Sequence, residues 1–292
     1  MQTQFVGSKY SCYDSIMKRN FFVPDDDLSG IIHSNLEGVE EIKHILTGWT
    51  NIVMEVRAGS GSYFFRFPRN PFWAKMIRKD ASFCRFVSGK TSFYTPQMKL
   101  KTDIEGRPFS IHKKIEGYSL TDRIYNLSHT AMAAVAHDCA KFVYELSMVS
   151  ADKAPKRAQY PLKKFLYELD SRHYVEHLTQ DHKYLEDSDT EHFVHGDLNI
   201  GNILVDENDN MTAVIDFCFA GKGNPNMDIS RILSRPVPEV FEQEFVAEYD
   251  RLVGGADIGQ IQEMRRIWGR IDAGYIGHIK RAHPEITLPP GM

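Results

Sequence analysis

Few cysteines, no long apolar run, no concentrated basic segment and no Gly-x-Gly-x-x-Gly motif: each absence removes a class of function from this 292-residue chain. Cys12, Cys84, Cys139 and Cys218 stand far apart without a Cys-x-x-Cys pair, the pattern of reduced, buried thiols rather than of a disulfide framework. Nowhere do apolar residues approach the run of about 18 that spans a bilayer. The stretch from Met1 to Asn20 also lacks the apolar core of a signal segment. The expectation is a cytoplasmic protein with no membrane partner. A net charge of −4, with no Arg-rich arm or zinc-finger spacing, argues against nucleic acid as a partner.

What is present is concentrated between His195 and Phe217. The segment His195-Gly196-Asp197-Leu198-Asn199-Ile200-Gly201-Asn202-Ile203-Leu204 is followed by Ile215-Asp216-Phe217. Phosphoryl transfer leaves a protein little covalent chemistry to perform, so positioning and metal electrostatics do most of the catalysis. A His-x-Asp-x-x-x-x-Asn loop supplies an acid that orients the acceptor hydroxyl, here Asp197, and a neutral oxygen for Mg2+, here Asn202. The apolar run from Met211 to Phe217 follows the turn-forming Asp206–Asn210 and reads as a hairpin strand delivering Asp216 to the same metal. His195 is expected to support the loop by packing and hydrogen bonding, not to act as the base. Each tripeptide alone is an ordinary turn or strand end; their joint spacing points to a kinase.

At these residues the chain resembles the aminoglycoside phosphotransferase and choline kinase group of small-molecule kinases. The glycine of His195-Gly196-Asp197 and the ending Gly201-Asn202-Ile203-Leu204 are similar to the phosphotransferase version of the loop, and Cys218 departs from the protein-kinase Asp-Phe-Gly. The stretch from Gly223 to Ile229 is similar to the family's Gly-Asp-Pro segment, which implies that Asp228 braces the catalytic loop. The resemblance implies an α+β, bilobal protein-kinase-like fold. An antiparallel β-sheet N-lobe would cover the nucleotide, and a mainly helical C-lobe would carry the catalytic loop, metal site and acceptor pocket. It implies ATP (or GTP) and Mg2+ as cofactors.

Upstream, Thr47-Gly48-Trp49-Thr50-Asn51 resembles the family's nucleotide-covering turn, with phosphate contacts from Gly48, Thr50 and Asn51. Arg66, in the strand-like Ser62–Phe67, stands where a protein kinase carries its phosphate-binding Lys, an exchange that choline kinase-like members resemble. Asp80 is the only acid between Phe72 and Val87 and is expected to pair with Arg66. The nucleotide base is expected near His112 and Lys113, where the lobes join. The same reading sets domain limits: an extension over 1–36, the N-lobe over 37–116 and the C-lobe over 117–292.

Strand-like runs at Ile42–Leu46, Ile52–Arg57, Ser62–Phe67, Gln97–Lys101 and Pro108–Lys113 suggest an antiparallel sheet. Met132, Val135, Cys139, Phe142, Val143 and Leu146 recur at helical spacing, as a buried helix requires. Residues 1–116 carry 17 basic and 12 acidic residues, whereas 117–292 carry 18 and 27, an asymmetry suited to ATP on one side and a cationic acceptor on the other. Glu239, Glu242, Glu244, Glu248, Asp250 and Asp272 could bind ammonium groups, and Trp268 and Tyr275 could pack on a sugar or quaternary amine. The leading expectation is therefore a Mg-ATP-dependent O-phosphotransferase acting on a small, aminoglycoside-like molecule. Choline, amino-alcohol or sugar phosphorylation and a non-catalytic nucleotide-binding scaffold are the alternatives. His173 and His177, four apart, lack the acid of a His-Glu-x-x-His zinc site.

Overall fold

Residues 22, 27–46, 50–155 and 192–282 are described by a computed structural model, and they fall into two units, Met1–Arg78 with Lys99–Lys114, and Lys79–Met98 with Ile115–Met292. Gly48 of the expected covering turn, the pair His173 and His177, and most of the 1–36 extension lie outside the described residues.

The first unit opens with a short helix, α1 (Leu28–His33), started by Asp27, whose Oδ1 accepts from the Gly30 amide at 2.8 Å. Five strands follow: β1 (Val39–Ile45), β2 (Asn51–Ala58), β3 (Gly61–Pro68), β4 (Lys99–Thr102) and β5 (Pro108–Lys113). They form one antiparallel sheet in the order β1-β2-β3-β5-β4. The two-residue Gly59-Ser60 turn sets the β2–β3 register, with Ala58 opposite Gly61. One sheet face is apolar because alternate residues turn the same way. Phe65 and Phe67 of β3 meet Phe109 of β5 and Phe22, with the Phe67 ring 4.9 Å from Phe22 and 5.3 Å from Phe109.

Helix α2 (Pro71–Val87) leads from this sheet into the second unit. There β6 (Tyr118–Ser119) precedes α3 (Leu120–Arg123) and the long α4 (His129–Ser147), whose cap Ser128 accepts from the Ala131 amide. All six residues of its expected apolar stripe are buried. Short strands β7 (Phe193–Val194), β8 (Ile203–Val205), β9 (Met211–Val214) and β10 (Gly221–Lys222) carry the segment of interest. β8 and β9 form a hairpin flanked by β6, and β7 pairs with β10. Asp206 organises the hairpin turn by accepting from the amides of Asn208 and Asn210, both at 2.9 Å. Helices α5 (Asn226–Ile232), α6 (Glu239–Val253) and α7 (Ile258–Ala282) complete the unit; α6 packs along α4, and α7 on α5. Strand β9 ends at Val214, so Asp216 stands past the hairpin in a turn of its own and not in the strand expected to run to Phe217.

Candidate active site

The loop between β7 and β8 is held from beneath by one buried acid. Asp228, on α5 and 1% exposed, accepts the His195 amide at 2.7 Å on one oxygen and the Gly196 amide at 2.8 Å on the other. Burial pushes its carboxyl up to about 7, opposed by these two amides, which favour the ionised form. Gly196 has φ +79°, and a Cβ there would sit 2.3 Å from the Phe219 carbonyl oxygen. Gly196→Ala should therefore cost about 2 kcal/mol or more, from the left-handed backbone and the overlap together. A urea unfolding midpoint indistinguishable from wild type would show that the loop does not depend on that approach.

His195 is fully buried and packs on Phe217, ring centroids 4.5 Å apart. Its Nε2 donates to the Ile215 carbonyl at 3.0 Å, and its Nδ1 accepts from the Asp197 amide at 3.3 Å. Those roles require the neutral ring, and burial favours neutrality by lowering the imidazole pKa. His195 is thus a bolt between the catalytic loop and the segment bearing Asp216.

Asn202 closes the loop. Its Nδ2 donates to the Asp197 carbonyl at 2.9 Å; because that partner can only accept, the amide Oδ1 must face the other way. The Asn202 carbonyl accepts from the Ile215 amide at 3.0 Å, tying the loop to the residue before Asp216. Asp216 has φ 67° and ψ 60°, a left-handed conformation rare outside glycine, and a 3-10 turn (Phe217–Phe219) follows at once.

Asp80 has a role that its spacing did not reveal. It is fully buried, and its Oδ1 accepts from the Phe217 amide at 2.8 Å and from Cys84 Sγ at 3.4 Å. The α2 acid thereby anchors the turn immediately after Asp216. In the first unit, Asn51 opens β2, is 5% exposed and donates through Nδ2 to Thr50 Oγ1 at 2.7 Å. Its Oδ1 is buried with no hydrogen-bond partner among the described residues. Arg66 lies in β3 opposite Val53 of β2 and Ser110 of β5. His112 stands on β5 with its ring 5.6 Å from Phe64, and Nδ1 donates to the Lys113 carbonyl at 3.1 Å. Burial and the nearby Arg66 charge depress its pKa to about 4, so it too is neutral near pH 7. Lys113 is exposed at the end of that strand.

Arg231, absent from the sequence reading, is the closest cation to the catalytic loop's acid. It lies on α5, 7% exposed at the side chain, and its Nε donates to Asp197 Oδ1 at 2.7 Å. Its Nη1 donates to Asp272 Oδ2 of α7 at 2.7 Å and to Ser234 Oγ at 3.2 Å, and its guanidinium lies 4.6 Å from the Trp268 ring. Its signal was present three residues after Asp228, one helical turn along α5. Asp197 Oδ1 takes the bonds to its carboxylate, and Oδ2 has no hydrogen-bond partner among the described residues.

The six acids suggested as ammonium ligands all meet partners inside the protein. Gln243 donates to Glu239 at 2.8 Å, Arg265 pairs with Glu242 at 2.6 Å, His137 with Glu244 at 3.0 Å and Arg251 with Glu248 at 2.6 Å. Asp250 accepts from the Ala256 amide at 2.7 Å, and Asp272 holds Arg231. Trp268 is buried beneath Arg231, and the Tyr275 side chain lies outside the described residues.

A family model, the APH phosphotransferase enzyme family, matches residues 41–265. The chain belongs to that family. It is a phosphotransferase enzyme with the protein-kinase-like fold. Similar solved structures include the GDP and kanamycin complex of APH(2")-IIIa, with a TM-score of 0.69 and 20% identity over 88% of this chain and 94% of the other. The streptomycin-ATP complex of APH(2")-IIa matches with a TM-score of 0.63 and 17% identity over 91% and 98%. A macrolide 2'-phosphotransferase from Brachybacterium faecium matches with a TM-score of 0.63 and 17% identity over 91% and 99%. A search of curated proteins found no sequence match. Among the described residues, no helix of this phosphotransferase is long and apolar enough to cross a membrane.

Proposed function

We propose that this phosphotransferase is a cytoplasmic kinase that moves the terminal phosphoryl group of ATP or GTP, with Mg2+, to a hydroxyl of a small molecule. The observation that carries this reading is the turned carboxamide of Asn202: its N–H is used by the Asp197 carbonyl, so its oxygen is presented away from the loop. Asp216 is tied to that loop through Ile215. A carboxamide oxygen and a carboxylate are hard donors suited to Mg2+, which takes one or two protein oxygens and completes its shell with phosphate and water. Asn202 and Asp216 would hold the ion, and when bound it would neutralise charge on the phosphates.

The chain's own residues do the rest. Asp197, fixed through Oδ1, offers Oδ2 to orient the attacking hydroxyl and to take its proton. Gly48, Thr50 and Asn51 are assigned to the phosphates, Arg66 to a bidentate phosphate contact, and His112 and Lys113 to the base end of the nucleotide. Asp80 supports the metal segment by capping the turn after Asp216. Residues 37–116 would serve the nucleotide and 117–292 the acceptor.

Aminoglycosides, the acceptors named in several similar structures, are the first to test, followed by macrolides, amino alcohols and sugars. The test incubates purified protein with Mg-ATP or Mg-GTP and pooled acceptors, then scans for an added phosphate by mass. A modified acceptor is expected; nucleotide binding without hydrolysis or transfer to any pool would favour the non-catalytic alternative. Asp216→Ala should weaken Mg-dependent nucleotide binding by at least about tenfold. An unchanged metal titration would remove Asp216 from the metal site.

A further inference from the structure

The charge beside Asp197 is not what a polyamine acceptor would call for. Helix α5 ends at Ile232, one position after Arg231, and Arg235 follows three positions later, its side chain 15% exposed. Its Nε lies 4.0 Å from Asp272 Oδ2, the same oxygen that Arg231 takes at 2.7 Å, and Arg231 in turn holds Asp197. Arg235 is therefore linked to the Asp197 carboxylate through two intervening side chains, Asp272 and Arg231. It makes no hydrogen bond among the described residues, although a guanidinium carries five donors in a rigid fork. With its side chain 15% exposed and none of its nitrogens among the buried unpartnered atoms of the described residues, the fork is reachable by a ligand from outside. Its one ion-pair partner, Asp272, shares the same oxygen with Arg231 at shorter range, and Glu239, Glu242, Glu244, Glu248 and Asp250 of α6 are engaged elsewhere.

We propose that Arg235 is a specificity-determining residue whose open fork receives a carboxylate or phosphate carried by the acceptor, so that the substrate is a small hydroxylated anion. This rests on the kinase reading above and narrows it. Planar bidentate recognition of an oxyanion is what Arg supplies and Lys does not. The acceptor's anionic end would sit on Arg235 while its hydroxyl reaches Asp197 Oδ2, and Arg231 keeps the two arginine-bound acids in fixed positions between them.

The test uses acceptor sets matched in skeleton and differing in the anion: glycerol, glycerate and glycerol phosphate; ethanolamine and serine; sorbitol and gluconate. Each is offered to the full-length protein with Mg-ATP and Mg-GTP, and both transferred phosphate and acceptor-free nucleotide hydrolysis are followed. The expected result is transfer to an anionic member and not to its neutral or amine-only counterpart; glycerate against glycerol phosphate separates carboxylate from phosphate recognition. Arg235→Ala should raise KM for that acceptor about 10- to 100-fold without a matching change in the KM for nucleotide, and Arg235→Lys should recover only part of it. Transfer confined to neutral or cationic acceptors overturns the proposal while leaving the kinase reading intact. So does an acceptor KM insensitive to Arg235→Ala, or nucleotide hydrolysis that no anionic member alters. Absence of both hydrolysis and transfer, with nucleotide still bound, removes the kinase reading and this proposal with it.

Discussion

Asp197→Asn should lower kcat by about 10²- to 10⁴-fold while nucleotide affinity stays within about twofold of wild type. The substitution keeps the shape of the side chain, so the loop retains its Asp228 amide bonds, the His195 ring contact and the Asn202 carboxamide bond, which runs to the Asp197 backbone carbonyl. What it removes is the charge that Arg231 fixes through Oδ1 and the carboxylate oxygen left for the hydroxyl. Asp197→Ala should be as inactive, and should also strip the buried Arg231 of one of its two carboxylates. A single-turnover measurement with saturating nucleotide isolates the chemical step. Normal turnover by either variant would take Asp197 out of its role.

Arg231→Met should be the most destabilising change in the site, by about 3–5 kcal/mol in urea unfolding, because breaking a buried pair from one side strands the other charge. Here two carboxylates are stranded, Asp197 at 24% and Asp272 at 18% side-chain exposure. Methionine fills much of the space over Trp268 but carries no cation to lie 4.6 Å from that ring. The pair Arg231→Met with Asp272→Asn separates stability from catalysis. It should regain part of the lost stability, since one stranded charge is gone, yet remain slow, since Asp197 still lacks its clamp. A single variant that loses under about 1 kcal/mol would mean that the network is solvated and contributes little.

The parts legible in the sequence were those with local signals. The loop from His195 to Asn202, the turn at Asp206–Asn210 and the α4 stripe declare themselves by spacing within a few residues, and so do the strands around Gly59-Ser60. Asp228 needed a family likeness, because a bond to an amide 33 positions earlier leaves no local pattern. Asp80 was legible as the lone acid of its helix, but its bond to the Phe217 amide, 137 positions away, was not. Arg231 was missed because its partners come from three segments, the loop after β7, the turn following α5, and α7. The six acids of α6 and α7 show the opposite limit: charge counts are visible in a sequence, whereas the partners that meet those charges are placed by packing.

Ile215 is the residue where this has a dynamic consequence. Its carbonyl receives His195 and its amide reaches Asn202, so both backbone polar groups of one residue are spliced into the neighbouring loop. Neither loop can open to solvent without releasing the other. The amide protons of Ile215, His195, Gly196 and Phe217 should then exchange with deuterium as one cooperative set at a common rate, not as independently fraying turns.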